Sequence, residues 1–196
     1  MPVVSGSSGR GVASSLAPLM GMQYIELESR RFPDGEGYVR VPTEAIDAVR
    51  SEPVVLVSNT YPDSGIVSTL LLLEAIADVR RGDLSNLKGE EPQSMDDVGG
   101  GVFLAIPYYG YSRQDKRFSK GEAVSARVIA EILARGCDGI AILDLHEPAV
   151  LEGMDVPIEF VSSMPEIAEL LQSEVSPDFV LSPDKGAISR ATEVAG

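Results

Sequence analysis

The chain of 196 residues has no tryptophan, a single histidine, a single cysteine and four lysines. A lone cysteine, Cys137, excludes an intramolecular disulfide and fits a reducing compartment. It reads as a small buried hydrophobe between a helix and a strand, because free cysteines are mostly buried and inert. One histidine and one cysteine cannot build a structural zinc site. The longest apolar run, around residues 66–76, carries polar interruptions and is too short to span a bilayer. The first residues, Met1 to Gly6, have neither a basic n-region nor a long apolar h-region, so a cytoplasmic location is expected.

Positive charge is also scarce. Sixteen basic residues face thirty acidic ones, a net charge of −14. Such a field repels nucleic acid and anionic membrane, and neither is expected as a partner. A locally basic pocket for a phosphorylated ligand remains compatible with it. Two phosphate-binding patterns are missing. Gly99-Gly100-Gly101 lacks the Lys-Ser/Thr that completes a Walker A loop, and Gly6-Ser7-Ser8-Gly9-Arg10-Gly11 is not the dinucleotide fingerprint.

What is present is an alternation of short apolar runs and helical stretches. Strands are expected at 2–5, 22–27, 38–41, 53–58, 102–106, 139–143, 158–161 and 179–181. Helices are expected at 12–20, with Val12, Leu16 and Leu19 on one face, and at 63–81, capped by Asp63 or Ser64. Two more are expected at 122–135, carried by Val124, Val128, Ile129, Ile132 and Leu133 and stopped by Gly136, and at 165–171. This order predicts an α/β fold: a mainly parallel sheet with helices on both faces. Residues 82–101 are polar and aperiodic and read as a long, flexible insertion.

Ligands of open α/β sheets gather beyond the C-terminal ends of the strands. Three such ends carry polar and ionisable residues. The first is Pro107-Tyr108-Tyr109-Gly110-Tyr111-Ser112-Arg113-Gln114-Asp115-Lys116-Arg117. The others are Asp144-Leu145-His146 and Asp184-Lys185-Gly186. Arg113, Lys116 and Arg117 concentrate positive charge in an acidic protein, as a polyphosphate site requires, although solvated loop charges would read alike. His146 reads either as a structural histidine or as a metal ligand or proton-transfer group, with Asp144 and Asp184 as oxygen donors suited to Mg²⁺. The turn Phe32-Pro33-Asp34-Gly35-Glu36 is an ordinary hairpin turn on its own evidence.

Together these segments resemble the ribose-phosphate pyrophosphokinases, also called phosphoribosyl pyrophosphate synthetases. The matching motifs are Arg31-Phe32-Pro33-Asp34-Gly35-Glu36, Ile106 to Lys116, Leu143-Asp144-Leu145-His146 and Ser182-Pro183-Asp184-Lys185-Gly186, in family order along the whole chain. The resemblance implies a phosphoribosyltransferase-like (type I) domain over 1–160 and the start of a second similar domain over 161–196. It implies transfer of the diphosphoryl group of ATP to ribose 5-phosphate, with Mg²⁺, in nucleotide biosynthesis. Phe32, Asp34, Gly35 and Glu36 would then hold the adenine end of ATP, and Arg113, Gln114, Asp115 and Lys116 would bind elsewhere on the nucleotide. His146 and Asp184 would be catalytic and, with Asp144, metal-binding. A dimer-based homo-oligomer is implied as well. The family's ribose-phosphate loop, of the Asp-Asp-x-x-x-[Ser/Thr]-Gly-Gly-Thr type, does not occur in these 196 residues. The expectation is therefore an incomplete sequence, inactive by itself, with a non-catalytic synthetase-associated module as the alternative.

Overall fold

The computed structural model describes residues 1–82, 100–175 and 177–195. The chain divides into two compact units, Met1–Phe160 and Val161–Gly196. The first contains, in order, β1 (Val3–Ser5), α1 (Arg10–Leu19), β2 (Tyr24–Glu26), β3 (Glu28–Arg31), β4 (Gly37–Arg40), α2 (Ile46–Ser51), β5 (Val54–Val57) and α3 (Asp63–Arg81). There follow β6 (Val102–Ile106), α4 (Ser125–Ala134), β7 (Gly139–Leu143) and β8 (Ile158–Val161), whose last residue begins the second unit.

Six strands form one sheet in the order β2-β1-β5-β6-β7-β8. The pairs β1–β2, β1–β5, β5–β6 and β6–β7 are all parallel. The continuous apolar run Val54-Val55-Leu56-Val57 makes β5 an inner strand, because only a strand covered on both faces tolerates such a run. Register aligns Val4 with Leu56, Leu56 with Leu104 and Leu104 with Ile140. That row faces the larger core, built with α2, α3 and α4 through Val49, Leu72, Leu73, Ile76, Ala126, Ala130 and Leu133. The alternate residues Val3 and Val57 face the other side, where α1 packs through Ala13 and Ala17. Alternation along each strand therefore decides which core a side chain joins.

The buried face of α1 is only partly the expected one, since Leu16 packs against the smaller core but Val12 and Leu19 do not. Val12 is 44% exposed and Leu19 86%, whereas Ala13 and Ala17 are fully buried. Gly9, Ala13 and Ala17 form a small-residue stripe at four-residue spacing, and it lets the helix lie close on the sheet. A Cβ at Gly9 would stand 2.0 Å from the Val57 carbonyl oxygen. In α4 the expected Leu133 is buried and Ile129 packs against the larger core, with small residues beside them. Ala126, Ala130 and Leu133 are buried, and Val128 is exposed. This helix begins at Ser125 rather than Glu122, whose carboxylate instead accepts the backbone N–H of Ser119 and Phe118 at 3.0 and 2.6 Å. Gly136 follows α4 without a left-handed backbone, and a Cβ there would press on Leu73 at 3.1 Å. The glycine serves close packing as well as ending the helix.

α3 runs as expected over Asp63–Arg81, but neither Asp63 nor Ser64 caps it; Pro62 precedes the first turn without a side-chain cap. At its far end Arg80, 2% exposed, donates to the carbonyls of Val49 (3.3 Å), Glu52 (2.8 Å) and Gly100. This guanidinium ties the end of α2 to the approaches of β5 and β6. The insertion expected at 82–101 lies, apart from its ends, outside the described residues.

The antiparallel pair β3–β4 is a separate hairpin. β3, with the sequence Glu-Ser-Arg-Arg, lacks an apolar pattern and was not expected as a strand. The second unit holds α5 (Met164–Glu174), a short 3-10 turn at Lys185–Ala187 and α6 (Ile188–Ala195). Residues 179–181 do not form the expected strand, and Phe179 and Leu181 are 84% and 89% exposed. An isolated apolar triplet gains strand geometry only from a partner strand.

Candidate functional site

Because β1, β5, β6 and β7 are parallel, their C-terminal ends share one edge, and four loops meet there. The loop after β5 is the mount. Ser58 and Thr60 are 0% and 1% exposed. The Ser58 hydroxyl lies 3.2 Å from that of Ser8, in the loop after β1, and 2.8 Å from that of Thr69 in α3. Asn59 donates to the Ser8 carbonyl (2.8 Å) and accepts from the Tyr108 N–H (2.9 Å). Thr60 accepts from the Gly110 N–H at 2.7 Å, and its own N–H reaches the Tyr108 carbonyl at 3.2 Å. A Cβ at Gly110 would meet the Thr60 carbonyl oxygen at 2.5 Å, so only glycine allows this approach.

The loop after β6 is thus pinned at its root. Tyr109 is buried and donates its hydroxyl to the Ala126 carbonyl at 2.6 Å. Burial drives its phenol far above the usual range. Tyr111 has a left-handed backbone, φ 64°, and donates its hydroxyl to Asp63 at 2.7 Å. Beyond it the Gln114 N–H donates to the Tyr111 carbonyl (2.9 Å), and the Gln114 carbonyl accepts from Ala126 (3.3 Å). Arg113 is exposed and makes no ion pair among the described residues. Arg117 donates to the Glu122 carbonyl at 2.9 Å, and the Lys116 ammonium sits 5.6 Å from the Phe118 ring. The Glu122 carboxyl, holding the N–H groups of Ser119 and Phe118, lies below its ordinary range. The loop therefore presents Arg113, exposed and without an ion pair among the described residues, on a backbone fixed at both ends.

The loop after β7 brings the histidine to the same place. His146 Nε2 lies 3.9 Å from Asp115 Oδ2, with the Asp115 side chain only 7% exposed and that of His146 48% exposed. Asp144, two residues earlier, has a left-handed backbone at φ 51°. The structure thus brings Arg113, Gln114, Asp115 and Lys116 into one loop and sets Asp115 against His146. Among the described residues, no three His, Cys, Asp or Glu side chains converge into a cage for a metal.

The remaining expected residues belong to other elements. Phe32, Asp34, Gly35 and Glu36 form the turn of the β3–β4 hairpin. There Asp34 accepts the Glu36 N–H at 3.1 Å, and Gly35 takes φ 94°, where a side chain would be strained. The Arg30 guanidinium stands 4.8 Å from the Phe32 ring and 4.3 Å from the Tyr38 ring, holding the aromatic in place. Among the described residues, no hydrogen bond or ion pair joins this turn to the loop after β6. In the second unit, Asp184 caps its 3-10 turn by accepting the Ala187 N–H at 3.0 Å. Asn59 and Thr60 escaped sequence reasoning, and Asp63 was read only as a helix cap. Their signal was only their position just past an apolar strand.

Residues 100–136, which include the whole loop after β6, match the family model of the N-terminal domain of ribose phosphate pyrophosphokinase. The chain is 38% identical to the ribose-phosphate pyrophosphokinase of Methanothermobacter thermautotrophicus, over 98% of this chain and 60% of that protein. It is 35% identical to that of Methanopyrus kandleri, over 100% of this chain and 60% of the relative. The phosphoribosylpyrophosphate synthetase of Mycobacterium smegmatis superposes with a TM-score of 0.75 at 21% identity, covering 98% of this chain and 59% of that one, and so shares the fold. The chain spans about 60% of the length of the curated relatives it matches. No helix among the described residues is long and apolar enough to cross a membrane.

Proposed function

We propose that this chain forms the ATP-binding part of a ribose-phosphate pyrophosphokinase. The observation that carries the reading is the loop after β6: Arg113 without an ion-pair partner among the described residues, and Asp115 set against the only histidine, inside the segment that matches the family. The reaction moves the diphosphoryl group of ATP to the 1-hydroxyl of ribose 5-phosphate. The hydroxyl oxygen forms a bond to the β-phosphorus, the bond from that phosphorus to the bridging oxygen of the α-phosphate breaks, and AMP leaves while the hydroxyl proton is lost. Such a transfer asks the protein for alignment and charge neutralisation more than for covalent chemistry.

Arg113 supplies a planar fork for phosphate oxygens and Lys116 a point charge. Gln114 and Asp115 complete the nucleotide-side loop. Phe32 offers an aromatic face to adenine, with Asp34, Gly35 and Glu36 beside it. His146 would act at the reacting groups and, with Asp144, would hold Mg²⁺, which when bound neutralises phosphate charge; the same two roles are proposed for Asp184 from its motif. Unit 161–196 begins the second, ribose-phosphate-binding domain. The setting is cytoplasmic, the assembly is a dimer-based homo-oligomer, and neither nucleic acid nor membrane is a partner.

Calorimetric titration with Mg·ATP tests the reading. The 196-residue chain is expected to bind it, and Arg113→Ala to weaken binding about ten- to a hundredfold, the worth of a charge-assisted pair. Equal affinity of wild type and Arg113→Ala would show that the loop does not hold the phosphates. No AMP is expected when ribose 5-phosphate is added, because these residues contain no ribose-phosphate loop. Sustained AMP release would overturn that part.

A further inference from the structure

Among the described non-glycine residues, only Tyr111 and Asp144 have a left-handed backbone. Such a conformation disfavours residues with a Cβ and persists only where surrounding contacts impose it. Packing is a weak constraint for Tyr111, whose side chain is 44% exposed. Two hydrogen bonds remain. Its hydroxyl donates to Asp63 Oδ1 at 2.7 Å, and its carbonyl accepts the Gln114 N–H at 2.9 Å. The first anchors the residue to the opening turn of α3. The second transmits its backbone setting to the residue next to Arg113.

We propose that Asp63 and Tyr111 form a latch that holds the Arg113 loop in its anion-binding shape, with Asp63 as a positioning residue. The proposal rests on the reading of that loop as the site for the phosphates of ATP. A direct contact of the Asp63 carboxylate with phosphate oxygens is opposed by sign, since the two repel each other. The hydroxyl bond to Asp63 also raises the Tyr111 phenol above its ordinary range, so the bond persists at neutral pH. Both side chains are exposed, so the latch acts on the loop and not on the core.

The opposed signs make the test sharp. Asp63→Ala and Tyr111→Phe each break the bond, whereas Asp63→Asn keeps an accepting oxygen and removes the charge. Two readouts are taken on the full 196-residue chain: exchange of the Gln114 amide by NMR, and Mg·ATP affinity by calorimetry. Breaking the bond is expected to speed Gln114 exchange and weaken Mg·ATP each by about three- to tenfold. Asp63→Asn should leave both near wild type, and the melting temperature of all three should hold. Unchanged Gln114 exchange, with Mg·ATP binding tightened by loss of a nearby negative charge, would overturn the latch. If the wild-type chain takes up no Mg·ATP but Gln114 exchange still responds, the latch stands and the ATP reading falls.

Discussion

Cys137 shows how one residue's environment fixes its chemistry. It is 9% exposed and its thiol contacts the Leu133 carbonyl at 3.5 Å. Burial pushes the thiol up from 9.0 to about 11. The folded state therefore keeps its proton where the unfolded chain loses it. Stability from this group is complete below pH 9 and is lost as pH rises toward about 11, by about 2–3 kcal/mol. Tyr109, raised for the same reason, adds to the loss at higher pH. Urea unfolding followed from pH 8 to 10 should show declining stability, and Cys137→Ala should flatten the decline. An identical slope in both proteins would mean the thiol is not held neutral by the fold.

At the scale of elements, α1 separates what a sequence pattern shows from what packing decides. Its helical period was legible; its buried face was legible only at Leu16. Val12 and Leu19 dominate any reading by hydrophobicity, yet Gly9, Ala13 and Ala17 make the contact, because the distance between helix and sheet is a tertiary quantity. Gly9→Ala should cost about 3 kcal/mol or more, since its methyl meets backbone and not a movable side chain. Gly11→Ala, two residues on and with nothing within 4 Å, should gain about 0.5–1 kcal/mol. Melting curves of the two variants, shifting in opposite directions, check this.

The site divides along the same line. Arg113, His146 and their neighbours follow apolar runs whose strand nature is plain, so their place at one sheet edge could be read in advance. Asn59, Thr60 and Asp63 act through backbone groups and one hydroxyl of a loop nearly fifty residues away, and no local pattern encodes such a pairing. The strand expected at 179–181 failed for a related reason, because pairing needs a partner that composition does not report.

For the whole molecule, burial is unevenly shared. Every buried residue of the described chain lies within Met1–Phe160; none lies in 161–195. A unit of that size without a buried side chain has little apolar gain to set against its conformational entropy. Limited proteolysis should cut first beyond residue 160 and leave a resistant fragment of about the first unit. Cleavage starting inside β5 or β6 would contradict this partition. The apolar side chains Leu170, Phe179 and Leu181 of the second unit offer accessible cleavage sites.

The absence of tryptophan gains an optical meaning from the loops after β5 and β6. Of the six tyrosines, Tyr61, Tyr108, Tyr109 and Tyr111 stand in those two loops. Tyr61 and Tyr108 meet edge to face at 5.7 Å, and Tyr109 and Tyr111 bond to the α4 backbone and to Asp63. With no indole to accept their excitation, four of the six tyrosine emitters of this protein stand around its candidate site. The chain carries its own unlabelled reporter of what happens there.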